Sequence, residues 1–456
     1  ITLRACPNGV NAIWQERPAP PLTAAWSHPE SLSGEATANK ARRIGADITA
    51  FGADAAVITL PDSLCWLLNI RGRDVPRTPI VQGFAILSSS GAIALFGDPA
   101  KFDSLEFSEN VTLMGWDAFE AYLSNFKDRM LIDSASLPQA ALQALEQGAV
   151  KILRGTDPCA LPKACKNTTE LNGSRAAHLR DGAAMVNFMA WFDGADPSNL
   201  SEIDIVRKLE GFRAATNVLH DISFDTISGS GPHGAVVHYR VTHKTNRKLD
   251  SDSLLLVDSG GQYHDGTTDI TRTLPLGTPS LEMRQAFTRV LQGMIAISQV
   301  RFPKGLTGRD LDSLARAPLW AAGQDYDHST GHGVGSFLSV HEGPQRLSRA
   351  TDVPLKVGMI LSNEPGYYRA GAFGVRIENL IVVQPAPNLP KGDDRAMLEF
   401  ETITLAPIDL RLIEASLLTV REKDWLNAYH QQVHAKLTQL LDATTAQWLA
   451  NATAAI

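Results

Sequence analysis

Residues 254–273 read LLLVDSGGQYHDGTTDITRT, and this stretch decides the fold. A short apolar run ends directly on Asp258, and a second carboxylate, Asp269, follows 11 residues later among threonines. Placing a carboxylate beside buried strand residues is costly unless a cation or a hydrogen-bond partner satisfies it. The stretch therefore predicts strands at Ser253–Val257 and Thr267–Leu274 whose acids share a charge partner.

Three further residues of this kind lie downstream. His332 lies in a glycine-rich segment, Glu364 follows an apolar strand-like segment, and Glu378 lies 14 residues after Glu364 in another. Four ionised carboxylates carry four negative charges, which two divalent metals would neutralise. Mostly oxygen ligands with one imidazole suit Mn, Fe, Co or Zn. Taken singly, each acid is explained as well by a turn cap or an ion pair.

Strand alternation predicts that Arg376 lies next to these acids. Residues i and i+2 of a strand share a face, so a strand over Val375–Val383 would point Arg376 with Glu378. A guanidinium there would orient the acids from behind. A plain surface ion pair between Arg376 and Glu378 is the alternative.

One glycine motif leads elsewhere and is rejected. Residues 229–234, GSGPHG, match the dinucleotide-binding pattern, which must open a helix. Pro232 interrupts the loop and Ala235–Tyr239 is strand-like, so we interpret it as a turn between strands. No Walker loop, H-E-x-x-H or G-x-S-x-G motif occurs.

The first third of the chain alternates between helical and strand patterns. Residues 15–25 are a stiff Pro-rich linker. Predicted strands follow at Ala55–Leu60, Gly83–Leu87, Ala92–Phe96, Val111–Gly115 and Met130–Ile132, with helices over 35–48, 117–125 and 138–148. The segments around residues 88–91 form a predicted hairpin. These elements make a compact α/β domain.

A second unit begins at Asn167. Asn167 and Glu170 form a capping-box pattern that predicts a helix to about Phe192, and another helix is predicted over Ser280–Val300. Strands at Met359–Ser362 and Val375–Val383 complete a set of helices on an antiparallel or mixed sheet. The helical apolar spacing in Lys423–Leu441 predicts packing or a subunit contact.

Composition excludes several classes of function. The 456 residues are 44% hydrophobic and carry a formal net charge of −7, without a Lys/Arg run that would favour nucleic acid. No apolar run reaches membrane-spanning length. Four scattered cysteines suit a reducing compartment. Because the first residue is Ile1, we expect that the chain has lost its beginning.

The segments around the acids resemble the pita-bread metallopeptidases, which include methionine aminopeptidase, prolidase, aminopeptidase P and creatinase. The ordered ligand set of that family falls on Asp258, Asp269, His332, Glu364 and Glu378. Segments at 224–239, 258–273, 328–344 and 362–368 are most similar to the cytosolic, eukaryotic-type Xaa-Pro aminopeptidases. The resemblance covers roughly residues 25–456.

The resemblance implies a role for each matching residue. Asp258 would bind one metal, His332 and Glu364 the other, and Asp269 and Glu378 would bridge the two. Glu364 would also act as the base. The resemblance also gives catalytic or substrate-binding roles to five residues that are not metal ligands: His238, His328, His341, Tyr368 and Arg376. His341 would steady the oxyanion or scissile carbonyl, and a packed or loop imidazole is the alternative for each of the three histidines.

The implied fold is an α/β creatinase-like N-terminal domain followed by an α+β pita-bread catalytic domain. The expected divisions are a stub of a truncated first domain and linker at 1–24, the N-terminal domain at 25–162, the catalytic domain at 163–400 and a helical extension at 401–456. Long members of the subgroup have two domains ahead of the catalytic one.

The implied activity is hydrolysis of the N-terminal Xaa-Pro bond of peptides through a hydroxide held by two divalent metals. Manganese is expected first, with zinc or cobalt as alternatives. We expect peptides with proline at the second position as substrates, a homodimer and a cytoplasmic location, with neither nucleic acid nor membrane as partner. The alternatives are a prolidase restricted to dipeptides and a metal-free pita-bread binding module.

Overall fold

The computed structural model describes Cys6 and residues 8–456. The predicted stub at residues 1–24 therefore lies partly outside the described residues. Among these residues, the α-helices of the N-terminal part are α1 (Gly9–Ile13), α2 (Glu30–Ser33), α3 (Thr37–Phe51), α4 (Pro61–Leu68), α5 (Ala118–Asn125), α6 (Gln139–Gln147) and α7 (Ala160–Ala164). Its strands are β1 (Trp26–Ser27), β2 (Ala55–Ile58), β3 (Ile70–Arg71), β4 (Phe84–Ser88), β5 (Ile93–Phe96), β6 (Val111–Met114), β7 (Arg129–Asp133) and β8 (Lys151–Gly155).

Six of these strands form one mixed sheet in the order β6-β5-β4-β2-β7-β8. The predicted hairpin is confirmed, because β4 and β5 pair antiparallel with Leu87 opposite Ile93. All four residues of β2 are buried, as expected for a central strand covered on both faces. The α/β class of this domain thus follows from its short apolar strands.

The catalytic part begins with α8 (Thr168–Gly194), which Asn167 and Glu170 start with the predicted capping box. The other helices are α9 (Glu202–Ala214), α10 (Leu281–Gln299) and α11 (Gly308–Trp320). The strands are β9 (Leu219–Ile222), β10 (Ile227–Ser230), β11 (Ser253–Ser259), β12 (Gly261–Tyr263), β13 (Gly266–Thr267), β14 (Ile270–Leu276), β15 (Phe302–Pro303), β16 (Gly331–Gly333), β17 (Glu342–Leu347), β18 (Ile360–Asn363), β19 (Gly366–Arg369), β20 (Phe373–Arg376), β21 (Asn379–Pro385) and β22 (Met397–Thr402).

Two sheets of this part carry the candidate site. One has three antiparallel strands, β10-β11-β14, and the other has six, β15-β22-β21-β18-β16-β17. Helix α10 packs against β18 and β22 of the six-stranded sheet, and its residues Phe287, Leu291 and Met294 share an apolar core with Leu254 of β11. Two antiparallel sheets backed by long helices agree with the predicted α+β class.

The chain ends with α12 (Val420–Leu437) and α13 (Ala443–Ala452). Leu426, Tyr429, Val433 and Leu437 of α12 are buried in the same apolar core as α10. The predicted packing role of these residues is therefore met within the chain itself. In the described part of the chain, no helix combines the length and apolar character that a membrane crossing needs.

Three local predictions are wrong. The predicted strand Thr267–Leu274 is interrupted between β13 and β14, where the Thr268 N–H donates to the Gly261 carbonyl at 2.8 Å. The predicted strand Val375–Val383 is two strands, β20 and β21, because Glu378 leaves the ladder between them and donates its N–H to the Thr271 carbonyl at 3.1 Å. The predicted strand Ala235–Tyr239 is absent among the assigned strands. Its place is taken by a 3₁₀ helix over Gly231–Ala235 and a loop, since Pro232 suits the first turn of a helix.

Candidate metal centre

The first two acids lie where β11 and β14 approach each other. Asp258 is the penultimate residue of β11 and pairs with Thr271 of β14. Asp269 directly precedes β14, so the antiparallel pairing returns it toward Asp258. Both side chains are buried. The apolar run before Asp258 thus forms the buried strand that delivers it.

The other three residues come from the six-stranded sheet. His332 is the middle residue of β16, Glu364 follows β18, and Glu378 lies in the break between β20 and β21. Strands β16 and β18 are neighbours in this sheet. The Ser362 hydroxyl accepts from the His332 N–H at 2.9 Å and donates to Glu364 Oε1 at 3.0 Å, which couples the two elements.

The predicted ligands converge on one point. His332 Nε2 lies 3.5 Å from Asp269 Oδ2 and 3.4 Å from Glu364 Oε1. Ligand atoms of Asp269, His332 and Glu378 all lie within 4.8 Å of one another. We call Asp258, Asp269, Glu364 and Glu378 the acid cluster. Two of its carboxylates, Asp269 and Glu364, approach His332 Nε2, and a third, Asp258, pairs with the guanidinium of Arg376.

The donor atoms of this site fit metal cations. Asp258 Oδ1, Asp269 Oδ1 and Glu378 Oε1 are buried and have no hydrogen-bond partner among the described residues. Buried carboxylate oxygens need such a partner or a cation. His332 Nδ1 lies 2.9 Å from the Gly333 carbonyl, which can only accept. Nδ1 therefore carries the proton, and the Nε2 lone pair faces the acids, as in metal-binding histidines.

The same crowding shifts the proton affinities of the acids. Burial, followed by the charges of Asp258 and Glu364, raises the pKa of Asp269 well above its usual range. Burial and the charge of Asp269 raise the pKa of Glu378 well above its usual range, and burial raises the pKa of Glu364. Cations bound in the cluster would neutralise the acids, and would thereby offset both the cost of burying the carboxylates and their mutual repulsion.

Arg376 contacts the acid cluster, though not in the way that strand alternation predicted. Its Nη2 donates to Asp258 Oδ2 at 2.5 Å, and its Nη1 donates to the Tyr368 hydroxyl at 2.7 Å. Glu378 lies beyond the end of Arg376's strand. It is reached through Thr271, whose hydroxyl accepts from Arg376 Nε and donates to Glu378 Oε2. Arg376 thus holds Asp258 directly and Glu378 through Thr271.

Tyr368 and His328 extend this chain of hydrogen bonds. His328 Nδ1 lies 2.8 Å from the Ser329 carbonyl, so it donates, and His328 Nε2 accepts from the Tyr368 hydroxyl at 2.8 Å. Burial and the charge of Arg376 lower the pKa of His328 to about 3, which keeps the imidazole neutral. Both ring nitrogens of His328 are therefore occupied by the protein itself.

A cavity of about 400 Å³ opens onto the acid cluster. Its walls include all five predicted ligands and the three predicted histidines His238, His328 and His341, together with Arg376. Tyr368 lies behind Arg376, outside the lining residues. The His341 ring stands nearly perpendicular to that of His332, with centroids 4.3 Å apart. Desolvation and the charge of His332 lower the pKa of His341 to about 4.

Two features of the site had no signal in the sequence. Arg346 lines the cavity because β17 places it opposite His332, a pairing between distant segments. Buried Glu202 accepts from the Ser230 N–H at 2.9 Å, the Tyr239 hydroxyl at 2.9 Å and His233 Nδ1 at 2.8 Å. Glu202 thereby fastens residues on either side of His238.

Family models cover nearly the whole chain. The model of metallopeptidase family M24 matches residues 172–385, and the creatinase/prolidase N-terminal domain matches residues 16–170. The C-terminal region of peptidase M24 matches residues 396–456. These matches confirm the predicted combination of a creatinase-like domain with a pita-bread catalytic domain.

Curated relatives share well over a third of their aligned residues with the chain. A probable Xaa-Pro aminopeptidase P of Laccaria bicolor is 40% identical over 97% of this chain and 71% of its own length. A probable Xaa-Pro aminopeptidase P of Aspergillus fumigatus is 39% identical over 98% of this chain and 72% of its own length.

Solved structures give the same grouping. An X-prolyl aminopeptidase of Caenorhabditis elegans, described as a cytosolic enzyme with a di-nuclear active site, superposes with a TM-score of 0.91 at 32% identity. The match covers 99% of this chain and 76% of that one. A Xaa-Pro dipeptidase of Bacillus anthracis, at 23% identity and a TM-score of 0.64 over 82% of this chain and 99% of its own, shares the fold.

Proposed function

The chain belongs to the Xaa-Pro aminopeptidases of metallopeptidase family M24, and from this we propose that it is a metal-dependent exopeptidase that hydrolyses the N-terminal Xaa-Pro bond of peptides. The observation that carries the proposal is the acid cluster. Four carboxylates and the free Nε2 of His332 meet at one cavity, and three buried carboxylate oxygens have no hydrogen-bond donor among the described residues. A metal-free binding module has no use for such a costly set.

Two divalent cations, manganese in the first place, are the proposed occupants. Asp258 would hold one, His332 and Glu364 the other, and Asp269 with Glu378 would bridge them. When bound, such a pair polarises a carbonyl oxygen and lowers the pKa of water. Carboxylate oxygens with one imidazole suit manganese, and the same ligands also bind zinc and cobalt.

The protein's own residues would bind the peptide and move the proton. Glu364 is half-buried, and burial raises its pKa, which suits a carboxylate that takes up a proton and passes it on. His341 opens into the cavity beside His332 and would donate a hydrogen bond to the scissile carbonyl as charge develops on the oxygen. His341 stays neutral above about pH 4, so it would donate through N–H without changing charge.

The remaining residues would shape the substrate site. His238 lines the cavity on the loop that Glu202 fastens. Arg376 orients Asp258, and Tyr368 and His328 buttress Arg376 from behind, so these three would form the wall beside proline. His328 would act by holding this wall, because both its ring nitrogens are already bonded.

A cytoplasmic location and a homodimer remain part of the proposal. The Caenorhabditis elegans neighbour is described as cytosolic, and three of the cysteines, Cys65, Cys159 and Cys165, are free and at least half-buried. Free thiols suit a reducing compartment.

The test is metal analysis of the purified protein combined with a peptide-length series. The full chain should contain about two divalent ions per molecule, and should cleave Xaa-Pro-Yaa and longer peptides with free amino ends. Removal of the ions with a chelator should abolish cleavage, and added manganese should restore it.

The outcomes separate the alternatives. Cleavage of Xaa-Pro dipeptides alone would identify a prolidase. Protein that binds peptides, holds no metal after dialysis against manganese and cleaves nothing would identify a binding module. An amino-blocked Xaa-Pro-Yaa peptide is the matched control, since an exopeptidase must leave it intact.

A further inference from the structure

A strained turn links the metal ligand His332 to His341. We call residues 336–342 the 336–342 turn. Its second residue, Phe337, has a φ of +51°, in the left-handed region that bulky side chains rarely adopt, and its ring is completely buried. Such a strained conformation persists only where the surroundings impose it. The contacts that impose it are therefore informative.

Arg71 of the N-terminal domain provides the first of these contacts. Its Nε donates to the Phe337 carbonyl at 2.5 Å, and its Nη2 donates to the Ser336 carbonyl at 3.1 Å. Nη1 donates to the Ile70 carbonyl at 2.9 Å. Arg71 is buried and forms no ion pair with any residue that the structure describes. The whole guanidinium is therefore used to hold backbone carbonyls, two of them in the turn.

A group of buried charges holds the other end of the turn. Lys163 Nζ lies 2.7 Å from Glu342 Oε2, and Lys166 bonds Glu342 Oε1. Asp62 of α4 accepts from the Ser339 hydroxyl at 2.9 Å. We call Asp62, Lys163, Lys166 and Glu342 the ion cluster. Despite burial, its lysines lower the pKa of Glu342, so this carboxylate is ionised and fixed next to His341.

The catalytic domain completes the attachment from the opposite side. Gln262, which lies between Asp258 and Asp269 in the chain, donates to the Leu338 carbonyl at 2.8 Å. The carbonyls of Ser336, Phe337 and Leu338 are thus all bound by side chains. These contacts fix the backbone of the turn. Within it, the ring of His341 lies 4.3 Å from that of His332.

We propose that Arg71 and the ion cluster are positioning residues of the active site, which hold the 336–342 turn so that His341 faces the scissile carbonyl. This inference rests on the proposed function for the role of His341. It makes the N-terminal domain and the segment that joins it to the catalytic domain part of the catalytic apparatus. Neither Arg71 nor the ion cluster touches the substrate cavity, so both act through the backbone of the turn.

A double-mutant cycle on the full, manganese-loaded chain tests the proposal. Arg71→Met should lower kcat on an Xaa-Pro-Yaa peptide about tenfold, leave KM within twofold and leave the metal content unchanged. In a His341→Ala background the same change should lower kcat less than twofold, because no imidazole remains to be positioned. A wild-type kcat for Arg71→Met, or equal losses in both backgrounds, would overturn the proposal.

Two further variants guard against a general loss of folding. Lys101→Met removes another buried cation of the N-terminal domain, which pairs with Asp74 at 2.5 Å and bonds no residue of the turn. Its folded fraction should keep the wild-type kcat. Ser339→Ala deletes only the hydroxyl bond to Asp62 and should lower kcat about threefold, again only when His341 is present. Equal loss from Lys101→Met and Arg71→Met would contradict a specific role.

Proteolysis gives a readout that needs no peptidase activity. Chymotrypsin should cleave after Phe337 several-fold faster in Arg71→Met than in wild type or Lys101→Met, as mapped by mass spectrometry. Equal cleavage rates would overturn the attachment of the turn. Wild-type protein that cleaves no Xaa-Pro bond would refute the proposed function, while the chymotrypsin comparison would still decide whether Arg71 holds the turn.

Discussion

The acid cluster and the ion cluster are both buried groups of charged side chains near His341, yet they are built in opposite ways. The acid cluster sets four carboxylates against the single guanidinium of Arg376, and three of its oxygens lack a hydrogen-bond donor in the described structure. The ion cluster sets Asp62 and Glu342 against Lys163 and Lys166, with both lysines in contact with Glu342.

The difference shows in the pKa values. Carboxyl pKa values in the acid cluster are raised because burial and mutual repulsion act together. In the ion cluster the pKa of Glu342 is lowered because two ammonium groups outweigh burial, whereas burial raises the pKa of Asp62, which bonds Ser339 rather than a lysine. An unbalanced buried cluster needs charge or protons from outside, whereas a balanced one needs no further partner and becomes costly only when one of its members is removed. The contrast separates a binding site from a structural support.

The largest expected effect is at Glu364. Glu364→Gln keeps the shape and removes the charge, so one ligand and the proposed base are lost together. We expect kcat on an Xaa-Pro-Yaa peptide to fall by about 10³-fold or more. The circular dichroism spectrum should match wild type, and the thermal midpoint of the metal-free protein should not fall, because the substitution removes a charge from the acid cluster. Unchanged turnover would remove Glu364 from the mechanism.

Removing a charge from the ion cluster should lower the stability of the fold. Glu342→Gln leaves Lys163 and Lys166 buried without their carboxylate, and we expect a loss of about 3–5 kcal/mol in the free energy of unfolding. Urea denaturation of the metal-loaded proteins measures it. The metal content should stay at the wild-type value, because Glu342 contacts none of the acids. Loss of metal without loss of stability would reverse the comparison.

In the acid cluster, removing a charge should increase the free energy of unfolding instead of lowering it. Asp269→Asn removes one of the repelling charges, so it should stabilise the metal-free protein by about 1–2 kcal/mol at pH 7. Because the folded-state pKa of Asp269 is raised, there is a pH range above the ordinary carboxyl pKa in which the native protein holds a proton that the unfolded chain has lost. The gain from Asp269→Asn should therefore shrink as the pH falls through that range, and it should vanish below the ordinary carboxyl pKa values.

Asp181→Asn is the matched control for this measurement. Asp181 is a buried acid with a full partner, since Arg213 Nε donates to it at 2.8 Å, and its pKa is lowered. Its replacement should destabilise the metal-free protein. If both substitutions destabilise the metal-free chain alike, the repulsion inferred for the acid cluster is absent.

The smallest effect concerns a buried group outside both clusters. His430 of α12 accepts from the Ile408 N–H at 3.0 Å, and burial lowers its pKa to about 4. Below about pH 6.5 the unfolded chain takes up a proton that folded His430 refuses, so wild type loses stability as the pH falls. His430→Gln should escape this loss. Its stability relative to wild type should rise by up to about 1.4 kcal/mol per pH unit between pH 6 and 5, measured by urea denaturation.

Much of the fold could be predicted from local patterns. The apolar strand before Asp258, the capping box at Asn167 and the hairpin around residues 88–91 depend on near neighbours in the chain, and the structure contains all three. The predicted strand Val375–Val383 was wrong because a contact from a distant strand, Glu378 with Thr271, interrupts it. Local alternation carries no information about such a contact.

In the candidate site, too, some residues could be predicted from the sequence and others could not. The five predicted ligands were proposed from residue type, spacing and family resemblance, all of which can be read along the chain. Glu202 and Arg346 escaped notice because their roles arise from pairing with residues far away in the chain. Glu202 on the first turn of a helix looks like an ordinary helix-starting acid until its buried partners are seen.

The sequence by itself was enough for the fold class, the family and a proposed set of metal ligands, because periodicity, residue chemistry, spacing and the resemblance of its motifs to a known family are all written along the chain. Only the tertiary structure decided which of the buried charges are balanced. Asp62, Lys163, Lys166 and Glu342 span 280 residues, and nothing in their neighbours distinguishes them from solvated side chains. Electrostatic interaction depends on distance in space and on burial, and the chain's order contains neither.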